Sequence, residues 1–479
     1  MEGKLPGRFI WVIKNRLLKQ RTGFFLLLTL STVCIIANAQ TIKYMMPEET
    51  ALHEGTWIQW PHNNLYGPWY VSDVKSTFIA MTMALQAGEK VHIIATDSSE
   101  LSKIITTLNN KSVPQTNIDY FVYETDDVWS RDNGPMFVYD TDSVLTILDW
   151  GFNGWGFDTP YSKCDAIPGS ISSAIGISSI DLNAMVLEGG AIEHDGNGTM
   201  FATRSSVTDS SRNPSFTAAQ IEDTLTKYLG ITKFLWLDGV YGLDITDQHI
   251  DGFLKFANDS TIVTMDNASL NYWYVSPAEI SIINNASNKD GVPYNIVTVP
   301  LTQNNVVTTY NDNLGYQGSY VNYYIANTVV LVPTYNDAND SIAMNIIQGI
   351  HPDRTVIGVD VRNLYAYGGM IHCITQQQPV ALNTTGAKEL ELRDPQSRLF
   401  QNKPNPFNDL TTIEFLVQDN SRILVNVYNT LGARVKTLTP NSGEHKVVVN
   451  ADSLNSGIYL YTLVVDGQVI DSKEMIINK

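Results

Sequence analysis

Cys373 follows His372 in the stretch Tyr367–Pro379, YGGMIHCITQQQP, between a glycine pair and a run of glutamines. A thiol beside an imidazole suggests a nucleophile with its base. In a strand, however, successive side chains point to opposite faces. A strand over GGMIHCITQ therefore turns His372 away from the sulfur, and the base must come from another segment. The strongest donor is LDITDQHIDGFLKFA (243–257), where Asp247, His249 and Asp251 alternate. On an extended segment all three share one face, and a histidine flanked by carboxylates is a general acid/base with its orienting groups in place.

Carboxylates recur elsewhere. ETDDVWSRDNGPMFV (124–138) gathers Asp126, Asp127, Arg131 and Asp132 around Trp129, and VLEGGAIEHDGNGTMFAT (186–203) sets Glu188 before two glycines. Asp and Gly in such loops often serve only the turn. Yet paired carboxylates also bind a planar cationic fork in bidentate fashion. Trp57, Trp60 and Trp129 would add aromatic faces for a cation. Gln376, Gln377 and Gln378 read as structural. The D-x-H-x-D pattern also fits a binuclear metal hydrolase such as an arginase, since hard oxygen donors plus imidazole suit manganese. That reading finds no second histidine in a comparable setting and leaves Cys373 unexplained.

The elements that must position these residues alternate between strand and helix. Strand-like runs include KVHIIA (90–95), IDYFVYE (118–124), SVLTILDW (143–150), TKFLWLD (232–238), TIVTMD (261–266), NTVVLVPTY (327–335) and TVIGVDV (355–361). A helix is expected over NPSFTAAQIEDTLTKYLG, begun by Asn213-Pro214 and capped by Gly230. This is the pattern of an α/β body. Periodicity alone reveals no repeat within it. Residues 381–398 read as a linker. From Leu399 to Lys479 the texture changes to short alternating strands, such as RILVNVYN, HKVVVNA and GIYLYTLVVDG, which describe a small β-sandwich.

The N-terminus carries Lys4, Arg8, Lys14, Arg16, Lys19 and Arg21, then FFLLLTLSTVCII, then Ala37-Asn38-Ala39. These are the parts of a secretory signal peptide, with cleavage expected after Ala39. The apolar run falls short of the roughly 20 residues that a membrane span needs. Its removal takes six of the 31 Lys/Arg and one of the 49 Asp/Glu, leaving 25 against 48 and a net charge of −23. So acidic a chain argues against nucleic acid, whose phosphates require Lys and Arg. Export also removes Cys34. Cys164 and Cys373 then either pair or leave a free reactive thiol.

In order along the chain, these segments resemble the agmatine deiminase and bacterial peptidylarginine deiminase family of guanidine-modifying enzymes. The resemblance runs over residues 44–380, through MPEETALHEGTWIQWPHN, DVWSRDNGP, LEGGAIEHDGNGT, SSRNPSF, DITDQHIDGF, SYVNYYIAN and GGMIHCITQQQP. It implies a pentein-like α/β propeller of five modules around a central site, with neither metal nor cofactor. Carried over by motif, Cys373 is the nucleophile, His249 the general acid/base, and Asp132 and Asp251 the guanidinium clamp. Glu188 and Asn322 support the pocket, while Trp57 and Trp60 lie within a matching motif.

The implied reaction proceeds through a thiouronium on Cys373 and releases ammonia. Agmatine giving N-carbamoylputrescine, the chemistry of putrescine biosynthesis, is the first expectation, and peptidylarginine giving citrulline is the second. DWGFNGWGFDTP (149–160) holds no arginine, whereas the peptidylarginine branch grips a substrate carboxylate with arginines from this region. The loop Gly368-Gly369-Met370 also departs from the family's Gly-Gly-Gly-Asn. A catalytically idle surface adhesin is the non-enzymatic alternative.

Leu399–Lys479 resembles the C-terminal sorting domain of the type IX secretion system. The landmarks are Gln401-Asn402, Pro404-Asn405-Pro406-Phe407-Asn408, VYNTLGARV, LNSGIYLYTL and the terminal lysine. This implies the secretion machinery as a partner, passage through the periplasm, and release or attachment at the outer surface. An ordinary adhesive or carbohydrate-binding sandwich is the plainer alternative.

Overall fold

A computed structural model describes residues 42–62, 68–382, 398–417, 422–429, 433–441, 443–452, 454–465 and 468–479. The expected signal peptide, and all but the ends of the expected linker, lie outside the described residues. Gln40–Lys479 packs as one compact unit. Among the described residues no helix is long and apolar enough to cross a membrane.

Within residues 44–379 one strand pattern occurs five times: an antiparallel pair, then a third strand parallel to the middle one. The sets are Gln376–Pro379 with His53–Gln59 and Lys90–Ala95; Met136–Asp140 with Leu145–Gly151 and Ser179–Val186; and Ile192–His194 with Thr199–Thr203 and Lys233–Leu237. Two more follow: Leu254–Asn258 with Thr261–Thr264 and Asn295–Thr298, and Tyr324–Ile325 with Val329–Thr334 and Thr355–Asp360. Parallel neighbours cannot be joined by a tight turn and need a crossover, usually a helix. Pro68–Leu85, Ile167–Ile175, Ala218–Leu229, Pro277–Asn284 and Asp340–Ile350 lie in those crossovers.

Antiparallel pairing of Gln376–Pro379 with His53–Gln59 joins the end of the body to its beginning. It also anchors the segment just after Cys373. The expected strands at Lys90–Ala95, Thr261–Thr264 and Thr355–Asp360 form, and the α/β class holds.

The expected helix start at Asn213-Pro214 is displaced. Thr217 caps the helix in a capping box with Gln220, and Gly230 ends it in the left-handed conformation, φ 76°. Asn213 instead spends its carboxamide on the loop. It accepts from Val186 N at 2.9 Å and donates to the carbonyls of Val186 and Val207. That loop carries Arg212, so its fixation matters to the site.

After Leu399 the chain forms two antiparallel sheets. One contains Arg398–Leu399, Leu410–Leu416 and Lys446–Asn450; the other contains Arg434–Leu438, Ile423–Tyr428, Gly457–Val465 and Gln468–Ile477. Both contribute to one core that includes Phe407, Ile413, Phe415, Val425, Tyr461 and Met475. Asn402 and Phe407, landmarks of the sequence pattern, are buried there. Asn402 N donates to Tyr461 Oη at 2.7 Å, and its side chain donates to Thr411 Oγ1 at 2.9 Å.

This core shares no residue with those of the body. Polar contacts link the two parts, including Arg434 to Asp353 and Arg422 to the Pro352 carbonyl. A protease site inserted between Leu382 and Arg398 should therefore yield, on cleavage, a body that keeps its near-ultraviolet circular dichroism. Precipitation of the cleaved body would show that the tail completes its core.

Candidate active site

Cys373 does not sit in a strand. His372–Ile374 form a single 3-10 turn, and regular pairing begins only at Gln376. Gly368, at φ 106°, bends the chain into this turn. Gly369 packs so tightly on the Trp129 indole that a Cβ there would overlap the ring. The Cys373 sulfur lies 3.5 Å from Asn322 Oδ1 and 3.9 Å from Asp251 Oδ2. Burial, together with the Asp251 and Asp132 carboxylates, pushes this thiol well above its ordinary range. The thiolate thus needs a cation brought to it.

The segment 243–257 is not extended either. Asp247 and Gln248 are consecutive residues with positive φ, 59° and 70°, and Ile250–Gly252 form a 3-10 turn. Asp247 is consequently turned to Arg212 at 2.5 Å and to Gly242 N at 2.6 Å. Asp247 is not among the groups that meet at Gly190, where His249 and Asp251 do, and among the described residues no cluster of three or more His, Cys, Asp or Glu is placed to hold a metal ion.

His249 Nε2 lies 2.7 Å from Glu188 Oε2, and its Nδ1 lies 3.6 Å from Asp132 Oδ1. Burial alone would depress this imidazole. Asp132 and Glu188 outweigh it and raise the pKa to about 9. Glu188 is fully buried and stays ionised through Arg212, whose Nε is 2.9 Å away. Arg212 escaped the residue-level reading because it stands 24 positions from Glu188. Its only sequence trace was the motif SSRNPSF.

Asp132 sits in the four-residue helix Ser130–Asn133 and is buried. Its Oδ1 accepts from Gly190 N, and its Oδ2 accepts from Trp155 Nε1, both at 3.0 Å. Burial raises its pKa to about 6 despite these donors and His249. Trp155 lies in the stretch 149–160 weighed from the sequence, where no role was assigned to it. It reaches Asp132 from a backbone with φ 55°, between two glycines that also have positive φ.

Gly190 forms the floor. A Cβ there would stand 2.7 Å from His249 Nδ1, 2.8 Å from Asp132 Oδ1 and 3.2 Å from Asp251 Oδ2. Three ionisable groups therefore converge over a single Cα, with Cys373 beside Asp251. Asn322 ties two site loops together, donating to the Asp251 carbonyl at 3.2 Å and accepting from His372 N at 3.0 Å.

The tryptophans divide. Trp57 is fully buried, stacked on His92 at 4.4 Å between ring centres, and donates to Gln378 Oε1 at 2.8 Å. Trp60 packs on Phe78 in the core. Both are packing residues and offer no face to a substrate cation, whereas Trp129 backs the Cys373 loop. The structural reading of Gln376–Gln378 agrees with their burial. Cys164 and Cys373 are both free thiols. Cys164 is buried against Gln59 Nε2 and Asp126 N, and burial pushes it up to about 12, which makes it inert.

A half-buried thiol, an imidazole and two carboxylates meet around one glycine. Residues 45–379 match the family described as Porphyromonas-type peptidyl-arginine deiminase. The chain belongs to this family and is a hydrolase of carbon–nitrogen bonds. It is 30% identical over 360 residues to a Selenomonas ruminantium protein assigned as an agmatine deiminase, covering 70% of this chain and 96% of that one.

Two solved structures are similar as well. One, from Porphyromonas gingivalis, is assigned as an arginine deiminase: 30% identity, TM-score 0.62, covering 71% of this chain and 99% of that one. The other is the agmatine deiminase of Enterococcus faecalis: 26% identity, TM-score 0.62, covering 71% and 97%. Residues 404–478 match a secretion-system C-terminal sorting domain.

Replacing Gly190 by Ala should leave the thermal midpoint within a few degrees yet lower kcat/KM by roughly a hundredfold or more, because the new methyl displaces reacting groups. Steady-state kinetics beside a melting curve check this. Unchanged kinetics would remove Gly190 from the floor of the site.

Proposed function

We propose that this chain is an exported guanidine deiminase whose substrate is agmatine and whose products are N-carbamoylputrescine and ammonia. The observation that carries the reading is the convergence of His249, Asp132 and Asp251 over Gly190, with the Cys373 sulfur beside Asp251. Asp132 and Asp251 hold the guanidinium flat, and its charge makes the Cys373 thiolate affordable. The thiol proton leaves to solvent as the cation enters. The thiolate attacks the guanidinium carbon, and His249 gives its proton to the departing nitrogen, releasing ammonia. A thiouronium remains on Cys373. Water then adds to this carbon and passes a proton to His249, and collapse restores the thiol and frees the ureido product. Net, a guanidinium and water give a ureido group and ammonium.

A cationic tail on the substrate suits the surroundings. Arg212 is committed to Glu188 and Asp247, and residues 149–160 supply no arginine. Both facts favour an amine over a carboxylate at the far end. Peptidylarginine is the second reading, favoured by the family description and by the sorting domain. We further read the five strand sets as the blades of a propeller. Residues 399–479 are read as a sandwich that directs type IX export after loss of residues 1–39.

Ammonia release from agmatine, free arginine and an arginine-ended peptide, with Cys373→Ala beside each, tests the substrate. Turnover of agmatine is expected. Citrulline on the peptide without carbamoylputrescine from agmatine would reverse the order. Asp132 must be ionised and His249 protonated, so kcat/KM should be bell-shaped, with limbs near about 6 and about 9 that belong to the coupled site. Trp155→Phe removes a donor to the Asp132 carboxylate and should move the acid limb upward by about one pH unit. An unmoved limb would separate Asp132 from that ionisation.

A further inference from the structure

The deiminase reading leaves His372 without a task, since the neighbour of the nucleophile was expected to point away from it. The structure places this ring, 2% exposed, between two carboxylates. Nδ1 lies 2.9 Å from Asp251 Oδ2, and Nε2 lies 2.8 Å from Glu49 Oε2. Glu49 was not among the candidates. It stands between the short strand Tyr44–Met45 and His53–Gln59 and holds its position through donors on both oxygens. Ile325 N reaches Oε1 at 2.8 Å and Lys255 Nζ reaches Oε2 at 3.0 Å, with Arg131 3.5 Å away. Burial opposes a charge on Glu49, and Lys255 with the other cations around it more than compensates.

Hydrogen-bond accounting then assigns the ring. Ionised carboxylates only accept, and a histidine that faces an acceptor at each nitrogen must carry a proton on both. We propose that His372 is a buried imidazolium, anchored by Glu49, that acts as the positioning residue for Asp251. It holds Oδ2, the oxygen that also faces Gly190 and the Cys373 sulfur. Two backbone-linked contacts through Asn322 fix the same pair of loops, so the side chain sets the aim and charge of the carboxylate.

The groups facing the ring support this division of labour. Beyond Asp251 and Glu49 they are Glu193, 4.0 Å from Nε2, and Arg131, whose Nε donates to the His372 carbonyl at 3.3 Å. Lys255 is shared between Glu49 and Glu193 and lies over the Tyr323 ring. Two cations and three carboxylates thus surround His372. A cationic ring donates to both carboxylates that flank it, whereas a neutral ring would leave one of them facing an unprotonated nitrogen.

The inference rests on the guanidine reading of the site, yet it has a readout that needs no turnover. In the full chain labelled with nitrogen-15 at histidine, the His372 ring should show protons on both nitrogens at pH 7.5. Its signal is identified by its loss in His372→Gln or, if that chain does not fold, by its shift in Glu49→Gln. A ring with one unprotonated nitrogen would overturn the proposal, whatever the enzyme's activity. A doubly protonated ring in a chain that deaminates no guanidine would leave the charge assignment standing and sink the reaction. For the positioning role, Glu49→Gln should raise KM for the guanidine about tenfold while kcat falls less. A KM unchanged in a folded Glu49→Gln chain would overturn that role.

Discussion

Everything at this site follows from the difficulty of burying several carboxylates close together. A buried charge is tolerated only when paired or well hydrogen-bonded. Glu188 has Arg212, and Asp251 has His372. Asp132 has two neutral N–H donors and a histidine at 3.6 Å, but no Arg or Lys among the described residues. Its raised pKa records that deficit. Burial, with the Asp251 and Asp132 carboxylates, pushes the Cys373 thiol upward as well. A guanidinium entering above Gly190 relieves both strains at once, satisfying Asp132 and favouring the thiolate it is about to meet.

The fold serves this arrangement by drawing the site residues from all five strand sets. Cys373 arrives just before the strand that joins the body's end to its beginning. Asp132 comes from a short helix ahead of Met136–Asp140, Glu188 from the loop before Ile192–His194, His249 and Asp251 from the turn before Leu254–Asn258, and Asn322 from just before Tyr324–Ile325. Each site residue therefore precedes the first strand of one of the five strand sets. Such segments are irregular, and the turn before Leu254–Asn258 carries strain: Asp247 and Gln248 both have positive φ. Strained backbone at a functional site persists only where surrounding contacts enforce it. Here the contacts are those of Arg212 with Asp247 and of Ser205 and Thr203 with the Asp247 and Gln248 carbonyls.

Much of this was legible in the sequence. Element types followed from hydrophobic runs and caps, and the Gly230 stop was read correctly. Asp132, His249, Asp251, Glu188 and Cys373 stood out as candidates, with Asn322 added by the family resemblance, and the structure brings them together. Local geometry was not legible. Strand alternation was assumed for GGMIHCITQ and for DITDQHIDG, and both are turns. That assumption misdirected His372 and Asp247 in opposite senses. The roles of Arg212, Trp155 and Glu49 were missed because each acts across a long stretch of chain, which no local period records. Trp57 and Trp60 were over-read, since a motif containing tryptophan is as often core as site, and here it is core.

The central claim is that Cys373, alone of the two thiols in residues 40–479, faces a site shaped for a planar cation. The direct measurement is alkylation by 2-chloroacetamidine, which joins that planar cation to an electrophilic carbon, followed by peptide mass mapping. The account predicts stoichiometric modification of Cys373, protection by agmatine, loss of ammonia release in parallel, and an untouched Cys164. Modification of Cys164, or full modification of Cys373 with ammonia release from agmatine undiminished, would contradict it.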